Sequence, residues 1–374
     1  MEPEPRGTHC LHTTTNDGRM NRRTFLTTTA AATVALATQT AAQEKTEFRT
    51  RGIVIMPADV PGMGWPARCA KAGIHTIALH EFHAWPLLRF VLDREGQSFL
   101  AQCREHQIEV EYELHLMSDL LERWRFEGGE RDLFRMDHQG QRNPDVNLCV
   151  SNDRALGIVA QNAAALSRIL KPTTGRHFYW GDDGGRWCQC PQCRDLSDSD
   201  QALIVENHIL AELRKDDPTA QLAHLAYHST LPAPTHVKPA PGVFLEFAPI
   251  DRAYAGHLGK PFVRLNQRDN RPRPKDFSNG ELLDFLDANL TVFPAATAQA
   301  LEYWLDVSVL SVGSPTPRLL QLDPVVLGDD LAEYAQRGLR HITTFAVQMN
   351  ATYLQHHPDP QPMLDVFGKS FADA

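Results

Sequence analysis

From residue 51 onward the chain alternates short apolar runs with longer stretches of helical spacing. "RGIVIMPAD" predicts a first strand, with Pro57 and Asp59 at its end. "GWPARCAKAG" predicts a helix stopped at Gly73, and "IHTIALHEFH" a second strand. "GQSFLAQCREHQ" is helical, and "IEVEYELHL" is a third strand with strict alternation. Ile108, Val110, Tyr112 and Leu114 share one face of it, and Glu109, Glu111, Glu113 and His115 the other. After a long polar connection, "SNDRALGIVAQNAAALSRIL" predicts a helix capped by Ser151 or Asn152. "RHFYWGDD" gives the fourth strand, and "SDSDQALIVENHILAELRKDDP" a helix starting near Ser199 or Asp200. "QLAHLAYHS" and "GVFLEFAPI" are the fifth and sixth strands. A helix over "NGELLDFLDANLTVFPA" leads to a seventh strand, "ALEYWLDVSV". Here Leu301, Tyr303, Leu305 and Val307 oppose Glu302, Trp304, Asp306 and Ser308. "GDDLAEYAQRG" is a helix, "RHITTFAVQMN" the eighth strand, and a last helix runs to the C-terminus.

Eight strands separated by helices in about 330 residues is the count for a single-domain (β/α)8 barrel. No G-x-G-x-x-G follows the first strand and there is no P-loop, which disfavours a doubly wound nucleotide-binding sheet. The barrel is expected over residues 43–374.

The segment before it reads as a twin-arginine signal peptide, residues 1–42, with Met20 an alternative start. "NRRTFL" carries the arginine pair, an uncharged stretch follows, and Thr40-Ala41-Ala42 suits signal peptidase. A twin-arginine translocon is thus the expected partner during export, and the periplasm or the exterior the expected destination. After cleavage no membrane association is expected. The formal charge of −9 and the absence of a basic tract argue against nucleic acid and anionic membranes.

In such a barrel the functional groups stand at the carboxyl ends of the strands. Those ends carry Glu81, Glu113 and His115, Asp182 and Asp183, Tyr227 and His228, Glu246, and then Glu302, Trp304 and Asp306. Trp180 precedes the paired aspartates. Carboxylates mixed with aromatic rings suit a glycan or oligosaccharide, whose hydroxyls meet acids and whose C–H faces meet rings. Glycosidic cleavage needs one protonated carboxyl group and a second group, either a carboxylate or the substrate's own acetamide. Closely placed acids push their pKa values apart and separate those roles. Asp182, Asp183 and Glu302 are the expected catalytic acids. Glu81, Glu113, His115, Trp180, Tyr227, His228, Glu246, Trp304 and Asp306 are expected to bind substrate. The alternative for Asp182-Asp183-Gly184-Gly185 is a plain turn. Glu109 and Glu111 are expected to pair with arginines inside the barrel, and His224 to be a core histidine. A buried lone carboxylate is costly, so Glu246 and Glu302 must each have a partner or a job.

Two other function classes stay open. One is a carbohydrate-binding or scaffold barrel without catalysis. The other is a metal-dependent hydrolase using His80, His83, His115 and His228, disfavoured because no H-x-H closes the first strand. Cys69 and Cys103 read as buried thiols. Cys149 with "CQCPQC", which supplies Cys188, Cys190 and Cys193, makes four thiols. They suit either a structural zinc or one or two disulfides. Acid–base chemistry of this kind calls for no cofactor.

"IEVEYELHLMSDLL", "NLCVSND", "YWGDDGGRWCQCPQCRDLSDSDQ", "LAHLAYHST", "VFLEFAPIDR" and "LEYWLDVS" together resemble the bacterial exported proteins grouped as domain of unknown function family 4838. The resemblance runs from about residue 105 to residue 350. Some members of that group are similar to glycoside hydrolase family 163, which cleaves β-linked N-acetylglucosamine in N-glycans. It therefore implies a carbohydrate-active barrel.

Overall fold

In the computed structural model, residues 48–126, 129–261 and 277–373 are described. The expected signal peptide lies outside the described residues. Eight strands close a barrel in sequence order, every neighbouring pair parallel. They are β1 (Thr50–Ile55), β2 (Thr76–Glu81), β3 (Glu109–His115), β4 (Arg176–Trp180), β5 (Gln221–Ala226), β6 (Val243–Phe247), β7 (Gln299–Glu302) and β8 (His341–Phe345). The expected (β/α)8 barrel is therefore the fold. Among the described residues no helix is long and apolar enough to cross a membrane.

Alternation sorts each strand between two cores. Ile53, Ile77, Val110, Tyr179, Leu222, Leu245 and Ile342 join the layer between barrel and helices. Val54, Ala78, Phe178, Ala223, Phe244, Leu301 and Phe345 fill the interior. The acidic face of β3 turns inward, so Glu111 and Glu113 are fully buried there. Glu111 stands 3.9 Å from the Arg176 guanidinium, the pairing expected of it. Glu109, at the strand's foot, is exposed and accepts a hydrogen bond from Thr173 instead. His224 is a core histidine, hydrogen-bonded to Glu206 at 2.7 Å and stacked on Phe293.

Three elements differ from expectation for local reasons. The seventh strand ends at Glu302, because Asp306 accepts from the Ser308 and Val309 amides and starts a short helix, Val307–Leu310. The helix after the cysteines is capped by Ser197, whose hydroxyl accepts from the Asp200 amide while Asp200 reaches back in a capping box. A helix over Ala84–Leu92 follows β2 directly, ahead of the expected one at Arg94–Glu105. Of the two residues expected to cap Asp153–Ser167, Asn152 does so.

Candidate active site

At the carboxyl end of the barrel the inward side chains open into a cavity of about 370 Å³. That is a size suited to a small ligand. His80, Phe82, His115, Trp180, Tyr227, Tyr303 and Phe345 supply much of its wall. Among the described residues, Asp183 and Asp306 are the carboxylates that line it. The rings brace one another: Tyr303 stacks on Phe345 at 5.1 Å, and His115 meets Trp180 edge-on at 5.0 Å.

Strand β4 delivers the two aspartates to different places. The Asp182 carboxylate accepts from the Ser118 amide at 2.9 Å, the Ser118 hydroxyl at 2.7 Å and the Asn147 amide at 2.7 Å, with Arg123 at 3.4 Å. It ties the long connection after β3 to the end of β4. Asp183 instead lines the cavity and accepts from the Tyr227 hydroxyl at 3.1 Å. The chain then turns: the Gly185 amide donates to the Asp182 carbonyl at 2.8 Å, and Gly184 sits at φ +60°. A Cβ on Gly185 would lie 2.6 Å from that carbonyl, so only glycine fits. The segment is thus a turn, and it also presents a carboxylate to the pocket.

Strand β7 corrects the expected faces. Leu301 and Tyr303 point into the barrel mouth, while Glu302 and Trp304 face the helices. The Glu302 carboxylate, fully buried, accepts from Arg252 at 2.7 Å and from the Tyr334 hydroxyl at 2.6 Å. Arg252 also pairs with Asp330 at 2.7 Å, and Trp304 donates its indole N–H to Asp330 at 3.0 Å. Glu302 is therefore not brought together with Asp183. The reason is a cation 50 residues away in sequence, which makes the outward position the satisfied one. Burial, opposed by Arg252, pushes the Glu302 carboxyl up to about 7. Asp306 does reach the cavity. Its three hydrogen bonds, from the Ser308 amide, the Ser308 hydroxyl and the Val309 amide, all fall on Oδ1. Burial pushes its carboxyl up to about 6.

Beneath the cavity lies a polar chain. Trp180 donates its indole N–H to Glu246 at 2.8 Å, Gln299 donates to the other oxygen of Glu246 at 3.0 Å, and Arg176 donates to Gln299 at 3.0 Å. Arg176 in turn lies 3.9 Å over the Phe244 ring. Glu246 thus has partners, as a buried carboxylate must; it does not line the cavity as a substrate-binding group, and instead holds the Trp180 ring in place as pocket floor. Burial pushes the Glu246 carboxyl up to about 8. Glu113 is buried with neither oxygen hydrogen-bonded. Burial, then the neighbouring Glu246 charge, raise it well above the usual carboxylate range. It sits inside the barrel and does not line the cavity. Glu81 alternates away from the mouth and is not among the lining residues, while His80 beside it is.

The histidines of the metal-dependent alternative do not converge among the described residues. His80 and His115 each donate Nδ1–H to a backbone carbonyl, of Glu113 at 3.0 Å and of Gly181 at 2.6 Å. His228 pairs with Asp251 at 3.3 Å beside an adjoining cleft, and His83 is exposed near Asp119. Burial, then the His115 charge, lower His80 to about 3, so it stays neutral through ordinary pH. Among the described residues the group able to hold a metal is Cys149, Cys188, Cys190 and Cys193, their sulfurs all within 4.8 Å of one another. None of the four is joined in a disulfide, nor is buried Cys69 or Cys103. Residues that sequence reasoning missed are Tyr303, Phe345 and Phe82. The alternation from Leu301 onward sets Tyr303 opposite Glu302, and the structure turns Tyr303, not Glu302, into the barrel mouth.

Several solved structures are similar in fold. An exo-β-1,4-mannosidase from Opitutaceae bacterium strain TAV5 aligns at 12% identity and TM-score 0.46, over 89% of this chain and 62% of that one. A β-N-acetylhexosaminidase from Bacteroides fragilis aligns at 11% identity and TM-score 0.47, over 86% of this chain and 66% of that one. A chitinase from Rhizomucor miehei aligns at 9% identity and TM-score 0.47, over 85% and 99%. The chain thus spans just under two thirds of the length of the first two. No curated protein matches it in sequence. The family described as Domain of unknown function (DUF4838) matches residues 27–269, well over half of the chain, and the protein belongs to that family.

Proposed function

We propose that this protein is a glycoside hydrolase acting on N-acetylated or acidic glycans, with Asp183 and Asp306 as its working carboxyl groups. One observation carries the reading: the aromatic-walled cavity at the barrel mouth is lined by Asp183 and Asp306, carboxylates of unlike surroundings. Asp306, raised to about 6, is suited to protonate a leaving oxygen. Asp183, held by the Tyr227 hydroxyl, is suited to activate water, attack the anomeric carbon or orient an acetamide. Trp180, Tyr227 and Tyr303 offer faces for the sugar's C–H groups. Outside the cavity, Trp85 and Trp124 are exposed on segments that follow β2 and β3, where further sugar units of a chain would stack. In this reading catalysis draws on no cofactor, and any metal on the four thiols is structural.

The test is a panel of aryl glycosides and N-acetylated oligosaccharides, with release of product followed for the wild type and for Asp183→Asn. Turnover by the wild type and its loss in the variant, with glycan binding kept, supports the reading. Binding without turnover across the panel would instead favour a carbohydrate-binding barrel. That second reading is supported by Asp182 and Glu302, strand-end acids whose oxygens all accept from structural partners.

The same reading places the protein in the periplasm or outside the cell, delivered by the twin-arginine translocon and free of the membrane after cleavage. Its support is the arginine pair Arg22-Arg23 with the small-residue site ending at Ala42. Lysines at both positions should leave the precursor in the cytoplasm. Normal processing of that double variant would point to an ordinary secretory route.

A further inference from the structure

We propose that Cys149, Cys188, Cys190 and Cys193 bind one zinc ion as a tetrathiolate, and that this ion clamps the loop leaving Asp183. The four sulfurs lie within 4.8 Å of one another, and those of Cys149 and Cys190 are 3.8 Å apart. A tetrahedron with Zn–S bonds of about 2.3 Å has sulfur–sulfur edges of about 3.8 Å. A disulfide instead needs its sulfurs at about 2 Å. Two of the ligands come from a C-x-C stretch, the third from three residues further on, and the fourth from the connection after β3.

The surroundings suit thiolates. The Met136 amide donates to the Cys188 sulfur at 3.3 Å, and Arg142 reaches the same sulfur at 3.8 Å. The Ser151 hydroxyl lies 3.2 Å from the Cys149 sulfur and 3.5 Å from that of Cys190. A zinc ion with four thiolates carries a net double negative charge, and these donors and the Arg142 cation offset it in a buried place. Four neutral thiols would not call for such an arrangement.

The position explains what the ion does. Between Trp180 and the helix starting at Asp198 the chain has no regular secondary structure. Asn147 joins the two segments near Asp183, accepting from the Asp182 amide at 2.9 Å and donating to the Arg186 carbonyl at 3.1 Å. Cys149 and Cys188 each follow one member of that Asn147–Arg186 pair by two residues. Gln201 pins the cluster to the next helix, accepting from the Cys188 amide at 3.0 Å and donating to its carbonyl at 3.1 Å. Metal ligation therefore completes a crosslink between two irregular segments next to Asp183, which faces the pocket. The inference stands whether or not the pocket hydrolyses sugars.

The experiment uses the full chain purified under reducing conditions. Elemental analysis should find one zinc per chain. Exchange with cobalt(II) should give the intense visible bands of tetrahedral thiolate-bound cobalt. Chelation should lower the melting temperature and speed proteolysis between residues 184 and 197. Cys193→Ser should lose the metal, and Cys193→His, which keeps a zinc donor, should retain it. The proposal is overturned if the folded chain takes up no zinc when supplied with it, or if iron is bound in its place. It is equally overturned if alkylation of the native protein finds the four cysteines paired as disulfides.

Discussion

The ends of β4 and β7 make the same kind of offer in sequence, two acids close together beside aromatic residues, and the fold treats each pair in the same divided way. At β4, Asp182 is saturated by the Ser118 and Asn147 amides and the Ser118 hydroxyl, while Asp183 turns to the cavity. At β7, Glu302 accepts from Arg252 and Tyr334 on Oε1 and from the Tyr303 amide at 3.4 Å on Oε2, while Asp306 turns to the cavity with all three of these bonds on one oxygen. One acid of each pair is structural and the other faces the site. The difference between the pairs lies in how deep the structural acid sits. Asp182 ties down a surface connection, whereas Glu302 belongs to a fully buried ion-pair network. Acidity at a strand end therefore identifies the neighbourhood of a site, and the count of donors around each oxygen separates its members.

Substitutions should separate the two classes most sharply in activity. Asp183→Asn should lower kcat by about 10²–10⁴-fold, the usual contribution of an acid–base or nucleophilic group, with the melting temperature nearly unchanged. Full activity of that variant on a substrate the wild type cleaves would return Asp183 to the role of a turn residue.

Glu302→Ala should act the other way, through stability. Breaking a buried ion pair costs about 3–5 kcal/mol, and the lower end is expected because Asp330 still holds Arg252. Chemical denaturation measures the loss, and activity per folded molecule should be kept. A variant that is as stable as the wild type yet inactive would put Glu302 back among the catalytic acids.

The pH profile tests Asp306. Its carboxyl is raised, so the protonated form dominates below about 6 and is lost above it. If it donates the proton, kcat/KM should fall about tenfold per pH unit on the alkaline side of that value. An alkaline limb that survives in Asp306→Asn would assign the limb to another group.

The smallest effect is expected below the floor. Glu246 is raised to about 8, so the folded protein holds a proton that the unfolded chain has released above about 4.5. Stability from this group is full below about 4.5 and is lost as pH rises through about 8. Glu246→Gln should flatten that decline in urea titrations, only in part because Glu113 is raised in the same direction. An unaltered slope would mean that Glu246 does not hold the proton.

Much of this was legible in the chain. Period-two runs and helical spacing announced eight strand–helix units, because a barrel strand must present an apolar face to its helices. The inward placement of Glu111, Glu113 and His115 followed from the alternation of β3, and the core role of His224 from its being a lone histidine. Cysteine spacing announced a cluster, since nearby thiols on one loop meet whatever the rest does. The pattern could not choose the face of β7, because both faces carry rings and the short strand ends after Glu302. Arg252, Asp330 and Tyr334 made that choice from distant elements, since a buried carboxylate settles where its donors are. Asp182 and Asp183 are one residue type at adjacent positions, so sequence alone gave them one role. The Asn147 and Ser118 amides on one side and the Tyr227 hydroxyl on the other separated them, and only closure of the barrel brings those groups to the same end.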